Sequence, residues 1–250
     1  MGRFAGKTFL VTGASSGIGR AVSVAIDKDG GRVVLLGRDE EKLKETLAML
    51  NVRQGHVPVS FDLTDFSQYN TFFSQLKEQG IVLDGMVHCA GTTSILPLRI
   101  LNVNNATEMF NIHFFSFLEL VKRYSKKGIS NGGSIVGISA ISAHVPQKCM
   151  TAYAAAKAAM ESACRTLSLE LVEKNIRINS VVVGGVKSAM SEKVTEILQG
   201  MESNYENPTQ HQLLGIATPE QIVGPILFLL SEDSSYITGR ELYADGGLLG

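Results

Sequence analysis

The chain has no tryptophan, only three cysteines and six prolines among its 250 residues. Three is an odd number, and Cys89, Cys149 and Cys164 show neither a redox pair nor the spacing of a metal-ligand set. They read as reduced thiols, which excludes a disulfide-stapled secreted fold and points to the cytoplasm. The prolines are too few for a low-complexity tract. No apolar run approaches the roughly 20 residues that cross a bilayer, and Phe9-Leu-Val is too short for a signal-peptide core, so no membrane is expected. Charge of one sign is missing too. Lys and Arg number 23 against 24 Asp and Glu, they are scattered, and no nucleic-acid partner is expected. What is present is 44% hydrophobic content in a chain long enough to bury a large core.

That hydrophobic content alternates between two periods. Short β-branched runs fall at Lys7 to Thr12, Arg32 to Gly37, Gln54 to Phe61, Leu83 to His88, Gly133 to Ser139, Ile176 to Val183 and Glu241 to Ala244. Helical spacing falls between them, up to Gly30, over Asp39 to Leu50, Asp65 to Gln79, Asn104 to Lys127 and Thr151 to Glu173. Strands alternating with helices predict one α/β domain over residues 1–250, a parallel sheet with helices on both faces. Ligands of such sheets bind beyond the carboxyl ends of the strands.

The unusual residues lie at those ends. Gly13-Ala-Ser15-Ser16-Gly17-Ile18-Gly19 follows the first strand and opens a helix, where glycines allow a tight turn and the helix N-terminus attracts a pyrophosphate. The same residues satisfy G-x-S-x-G, the nucleophile elbow of α/β-hydrolases, with His211 as its only distant base, although no oxyanion-hole loop precedes them. Arg38 follows the second strand, at a position that suits an adenosine 2′-phosphate. Asp62 and Leu63 follow the third, Cys89-Ala90-Gly91 the fourth, Ser139 the fifth and Gly184-Gly185 the sixth. The irregular stretch 186–217, with Met190, Met201, Tyr205 and His211, reads as an excursion that covers a site.

The chemistry is expected at Tyr153-Ala-Ala-Ala-Lys157. Residues four apart stack on one helix face about 6 Å apart, and a charged Lys there would lower a phenol from its ordinary value near ~10, making it an acid-base group. His88, His113 and His144 have no metal or triad spacing and read as structural.

Over essentially its whole length the chain resembles the classical short-chain dehydrogenase/reductase family, nearest to 3-oxoacyl-carrier-protein reductases. The matching motifs are Thr12-Gly-Ala-Ser-Ser-Gly-Ile-Gly19, Asp62, Cys89-Ala-Gly91, Asn111, Tyr153-x-x-x-Lys157, Ile237-Thr-Gly239 and Asp245-Gly-Gly247. The resemblance implies a doubly wound Rossmann sheet of seven strands and a nicotinamide cofactor. It implies NADP(H) in preference to NAD(H), since Gly37-Arg38 looks like the pattern of NADP-preferring members. Tyr153 would be the general acid towards a small or carrier-linked carbonyl, Lys157 would hold ribose hydroxyls, and Asn111 would hold a relay water. Gly185, Val186 and Ser188 would touch the nicotinamide end. A homotetramer is implied, with a dimer as the smaller assembly, through the helices carrying Phe110, Phe114, Phe115 and Phe117 and then Met160, Cys164 and Leu167.

The chain departs from the family at His88-Cys89, at Gly184 in place of a proline, at Ser16, and at the carbonyl-binding serine. The position thirteen residues before Tyr153 is Ala140, flanked by Ser139 and Ser142. Ser142 shares a strand side with Ala140, while a one-residue slip would bring in Ser139, which is preferred because it ends the strand.

Overall fold

The computed structural model describes residues 2–188, 190–192, 197 and 207–249. Seven strands, β1 (Thr8–Thr12), β2 (Arg32–Gly37), β3 (Val57–Ser60), β4 (Leu83–His88), β5 (Ser130–Ala140), β6 (Ile176–Val183) and β7 (Glu241–Ala244), form one parallel sheet in the order 3-2-1-4-5-6-7. Strand period 2 divides the core. Leu10 joins Val34, Phe72, Phe117, Leu120 and Met160 on one face, whereas its neighbours Phe9 and Val11 join Val22, Ile26, Leu43 and Ile226 on the other. The first face is covered by α3 (Tyr69–Glu78), α5 (Ser116–Tyr124) and α6 (Thr151–Leu171), and α4 (Val103–Phe110) packs on α6 through Met109, Ala152 and Ala156. The second is covered by α1 (Gly17–Lys28), α2 (Glu40–Ala48) and α7 (Pro219–Leu230).

Helix α7 is absent from the sequence expectation, although its start is written plainly. Thr218 accepts from the backbone of Gln221 and the Gln221 side chain accepts from the Thr218 amide, with Pro219 at the first helical position. Helix α3 begins at Tyr69 rather than Asp65, because the Asp62 and Asp65 carboxylates accept from Thr64 and Ser67 and turn the chain first. β3 is shorter than its apolar run; residues 52–54 form a 3₁₀ turn, and Pro58 is tolerated because β3 is an edge strand. The expected helix over Asn104 to Lys127 is interrupted by a π-helical segment at Asn111–Phe115.

Two family motifs prove to be structural. Thr238 Oγ1 accepts from Ile178 N–H, Gly239 N–H donates to the Ile178 carbonyl, and Gly239 has a φ of 67° with its Cα against Ser168. Asp245 accepts from the amides of Gly247 and Leu249, closing the turn after β7. Asn179, fully buried on β6, donates through Nδ2 to the Ile237 carbonyl and accepts from Arg240 N–H, both at 3.0 Å. Asn179→Ala removes hydrogen bonds to two part-buried backbone groups, so it is expected to cost about 2 kcal/mol and lower the melting midpoint by about 6 °C, measured by calorimetry. An unchanged midpoint contradicts this role.

Candidate active site

The first βα turn is built for close approach. A Cβ on Gly13, whose φ is 66°, would lie 2.9 Å from the Ala90 backbone, and one on Gly19 would lie 2.3 Å from the Gly13 carbonyl. The loop therefore packs against the ends of β1 and β4. Ser16, at the start of α1, makes no side-chain cap, which leaves first-turn amides for a ligand. Arg20 braces the loop by donating to the Ser15 carbonyl and to Thr46 and Glu45 of α2. Such a cradle fits a pyrophosphate.

Tyr153 and Lys157 face the same strand ends from α6. The Lys157 ammonium lies 5.8 Å from the centre of the Tyr153 ring and donates to the Ile138 carbonyl at 2.6 Å. Burial dominates the electrostatics of both. It pushes the Tyr153 phenol up to about 12 and the Lys157 ammonium down to about 8, the latter opposed by the Cys89 thiol and Glu161. The expectation that Lys157 lowers the phenol below its ordinary value is thus not met, because desolvation outweighs the neighbouring charge. The phenol is a protonated acid throughout the neutral range.

The serine question has a structural answer in the register. β5 pairs with β6 without a break through Ser139↔Val182 to Ala140↔Val183, so the slip that would favour Ser139 does not occur. The Ser139 hydroxyl instead donates to the buried carboxylate of Glu161, which also meets His144 Nε2. Ser142 lies in the 3₁₀ turn at Ile141–Ala143, and its hydroxyl is buried with no partner among the described residues.

These groups line one cavity of about 560 Å³. Of the residues expected from the sequence, Gly13, Ser15 to Gly19, Arg38, Leu63, Cys89 to Gly91, Ser139, Ser142, Tyr153, Lys157, Gly185, Val186 and Ser188 all border it. Asp62 and Asn111 do not. The Asp62 carboxylate is turned to the Thr64 amide and hydroxyl. Asn111 opens the π-helical segment, its carbonyl accepting from Ser116 N–H, and the following Ile112 and His113 reach the cavity in its place. His113, expected to be structural, stands edge-on to Tyr153 with ring centres 5.1 Å apart. Thr93, Gln147 and Met150 also line the site and went unrecognised in the sequence. Gln212 was missed as well. Its carboxamide accepts from Gly185 N–H and fills the space beside Gly184 and Gly185 that side chains there would need.

The ends of the 186–217 excursion meet, Lys187 N–H donating to the Ala217 carbonyl at 2.8 Å and Ala217 N–H to Gly185 at 3.0 Å. Met190 and Asn207 border the cavity, whereas Met201 and Tyr205 lie outside the described residues.

Residues 13–249 match the family model described as enoyl-(acyl carrier protein) reductase. The chain belongs to the short-chain dehydrogenase/reductase family. It is 30% identical to the 3-oxoacyl-[acyl-carrier-protein] reductase of Thermotoga maritima over 99% of both chains. It is 31% identical to glucose 1-dehydrogenase of Gluconobacter oxydans over 98% of this chain and 93% of that one. The solved L-sorbose reductase of Gluconobacter frateurii, complexed with NADPH and L-sorbose, superposes with a TM-score of 0.89 at 25% identity, covering 100% of this chain and 99% of that one. Membership of this short-chain dehydrogenase/reductase family makes the chain an oxidoreductase of a family that binds a nicotinamide cofactor.

The low Lys157 value gives a pH dependence to be expected of this short-chain dehydrogenase/reductase if Lys157 serves the reaction. Lys157 is charged below about 8 and loses its proton above it, while Tyr153 stays protonated until about 12. The kcat/KM for carbonyl reduction should therefore be level through neutrality and fall as the pH rises through about 8, by about tenfold per unit beyond it. A profile that stays flat to pH 10 excludes Lys157 as the controlling group.

Proposed function

We propose that the protein is an NADP(H)-dependent carbonyl reductase or alcohol dehydrogenase, confined to the cytoplasm, with residues 1–250 forming a single nucleotide-binding domain. The observation that supports it most strongly is the meeting, in one cavity, of a protonated phenol, a buried ammonium and an unpartnered serine hydroxyl, with the glycine cradle and Arg38 bordering the same space. When bound, the nucleotide supplies or accepts the hydride. Tyr153 gives its proton to the carbonyl oxygen during reduction and takes it back during oxidation. Ser142 donates a hydrogen bond to the same oxygen. Lys157, anchored on Ile138, presents its charge beside the phenol and holds ribose hydroxyls, and Arg38 pairs with the 2′-phosphate. The described residues of the 186–217 excursion that border the cavity, Met190 and Asn207 among them, face the substrate. The names of the relatives offer two substrate classes, 3-oxoacyl thioesters and small hydroxylated carbonyls, and the proton chemistry is common to both.

Assembly as a homotetramer, or as a dimer, is part of the proposal, through only some of the side chains the sequence suggested, Phe115 among them. Phe117, Met160 and Cys164 are buried against this chain's own sheet, whereas Phe115, Leu169 and Val172 are exposed on the same helical units. Light scattering at micromolar concentration is expected to show the assembly; monomer alone contradicts it.

NADPH oxidation over a panel of ketones and thioesters tests the activity. A silent nucleotide-binding protein would bind NADPH and oxidise none of it, and a serine hydrolase would ignore it and be acylated at Ser15. Arg38→Ala is expected to weaken NADPH about 10²-fold with little effect on NADH, since a charge-assisted pair is lost. Equal wild-type affinity for the two nucleotides rejects the NADP assignment. Ser142→Ala is expected to lower kcat by ~10² to 10³ and Ser139→Ala by less, since one hydroxyl faces the reacting oxygen and the other is held by Glu161. The reverse order would reassign the donor.

A further inference from the structure

Three residues that line the active-site cavity each carry a buried side-chain atom with no hydrogen-bond partner among the described residues: Ser142 Oγ, Thr93 Oγ1 and His113 Nδ1. Buried polar groups are rarely left unpaired, so three in one cavity describe the polar complement of what fills it. They come from three separate stretches, the turn after β5, the loop after β4 and the π-helical segment, so they do not share one local distortion.

His113 is the most informative because its role is fixed. Its Nε2 lies 2.7 Å from the Thr92 carbonyl oxygen, which can only accept, so Nε2 carries the proton. The ring is 1% exposed, and burial together with the Lys157 charge holds it well below the usual histidine range, hence neutral. Nδ1 is therefore a bare lone pair that can only accept. Its placement is built in: a Cβ on Gly91 would stand 2.4 Å from His113 Cε1, so only glycine there lets the imidazole lie edge-on to Tyr153.

We infer that the substrate is a small α-hydroxy ketone, or in the other direction a vicinal diol, whose hydroxyl next to the reacting carbon donates to His113 Nδ1 and is bracketed by Thr93 Oγ1. The inference rests on the carbonyl-reductase reading above. With the carbonyl oxygen at Ser142 and Tyr153, a neighbouring substituent would come near the imidazole, whose ring centre is 5.1 Å from that of the phenol. A hydroxyl there has a proton to give. The methylene next to the keto group of a 3-oxoacyl thioester has none, and it would leave the buried His113 acceptor unpaired, the situation in which a hydrogen-bonding site rejects an analogue most strongly. His113 is thus a specificity-determining residue for this site.

The test compares initial rates with NADPH on 3-hydroxybutan-2-one, 1,3-dihydroxypropan-2-one, butan-2-one and the N-acetylcysteamine thioester of 3-oxobutanoate. Wild type is expected to favour the hydroxy ketones over butan-2-one and the thioester by at least ~10² in kcat/KM. In His113→Phe, which keeps a ring of similar size, that ratio should collapse below ~10; His113→Asn, which restores an acceptor and a donor, should recover part of it; Thr93→Val should lower it about tenfold. NADPH dissociation constants are measured for each variant and should stay within threefold of wild type. If the wild type uses butan-2-one or the thioester as well as the hydroxy ketones, or if the ratio survives His113→Phe, the substrate assignment is overturned while the reductase reading stands. A large loss of NADPH affinity in His113→Phe also overturns it, because His113 then serves the nucleotide. Oxidation of NADPH by none of the four compounds removes the reductase reading and this inference together.

Discussion

The ammonium of Lys157, taken out of water and held by the carbonyl of Ile138 two residues before the end of β5, is the constraint around which the site is arranged. It fixes the start of α6 against the strand ends, and that fixes Tyr153, one helical turn earlier, over the cavity. Burial that brings the pair together also sets its chemistry. The phenol is discouraged from ionising and the ammonium from keeping its proton, so the phenol stays a protonated acid while the lysine titrates closer to neutrality than it would in water. Glu161, one turn further along α6, opposes part of that cost for the lysine and occupies the Ser139 hydroxyl in doing so. Of the two candidate serines, the one whose hydroxyl is left without a partner among the described residues is Ser142.

The rest of the fold follows from supporting that edge. β1, β4, β5 and β6 are the central strands and deliver the glycine turn, Cys89 to Gly91, Ile138 to Ser142 and Gly184-Gly185 to a single rim. The helices reach it from both faces, α1 with its uncapped first turn and α6 with its reactive pair. Gln212 ties the return of the 186–217 excursion to Gly185, so a segment distant from the strand ends closes onto the site. The exposed strand ends hold the reactive groups, while the motifs after β6 and around β7 are consumed in backbone pairing.

Much of this was legible in the residues, and the reasons are physical. β2, β4 and β6 fall where the β-branched runs begin and end, because a strand buried on both faces has little freedom in what it contains. The glycine turn and the Tyr153/Lys157 spacing declare themselves because each needs a fixed backbone geometry. What was not legible depends on packing across the sheet. A π-helical segment has no sequence signature of its own, so neither the displacement of Asn111 nor the arrival of His113 in the cavity could be read from helical periodicity. Ser139 ends an apolar strand and looks available until Glu161, 22 residues later, is found to have taken it. Helix α7 is the opposite case, since Thr218-Pro219-Glu220-Gln221 is a readable start that was passed over.

Tyr153→Phe tests the central claim most directly, because it retains the ring and its edge contact with His113 and removes only the proton. With the fold checked by circular dichroism and NADPH binding by fluorescence titration, the account requires unchanged nucleotide affinity together with a fall in kcat of at least ~10² on any ketone the wild type reduces. Turnover within a few-fold of wild type would show that the proton reaches the carbonyl from some other group, and that the buried pair on α6 is structural.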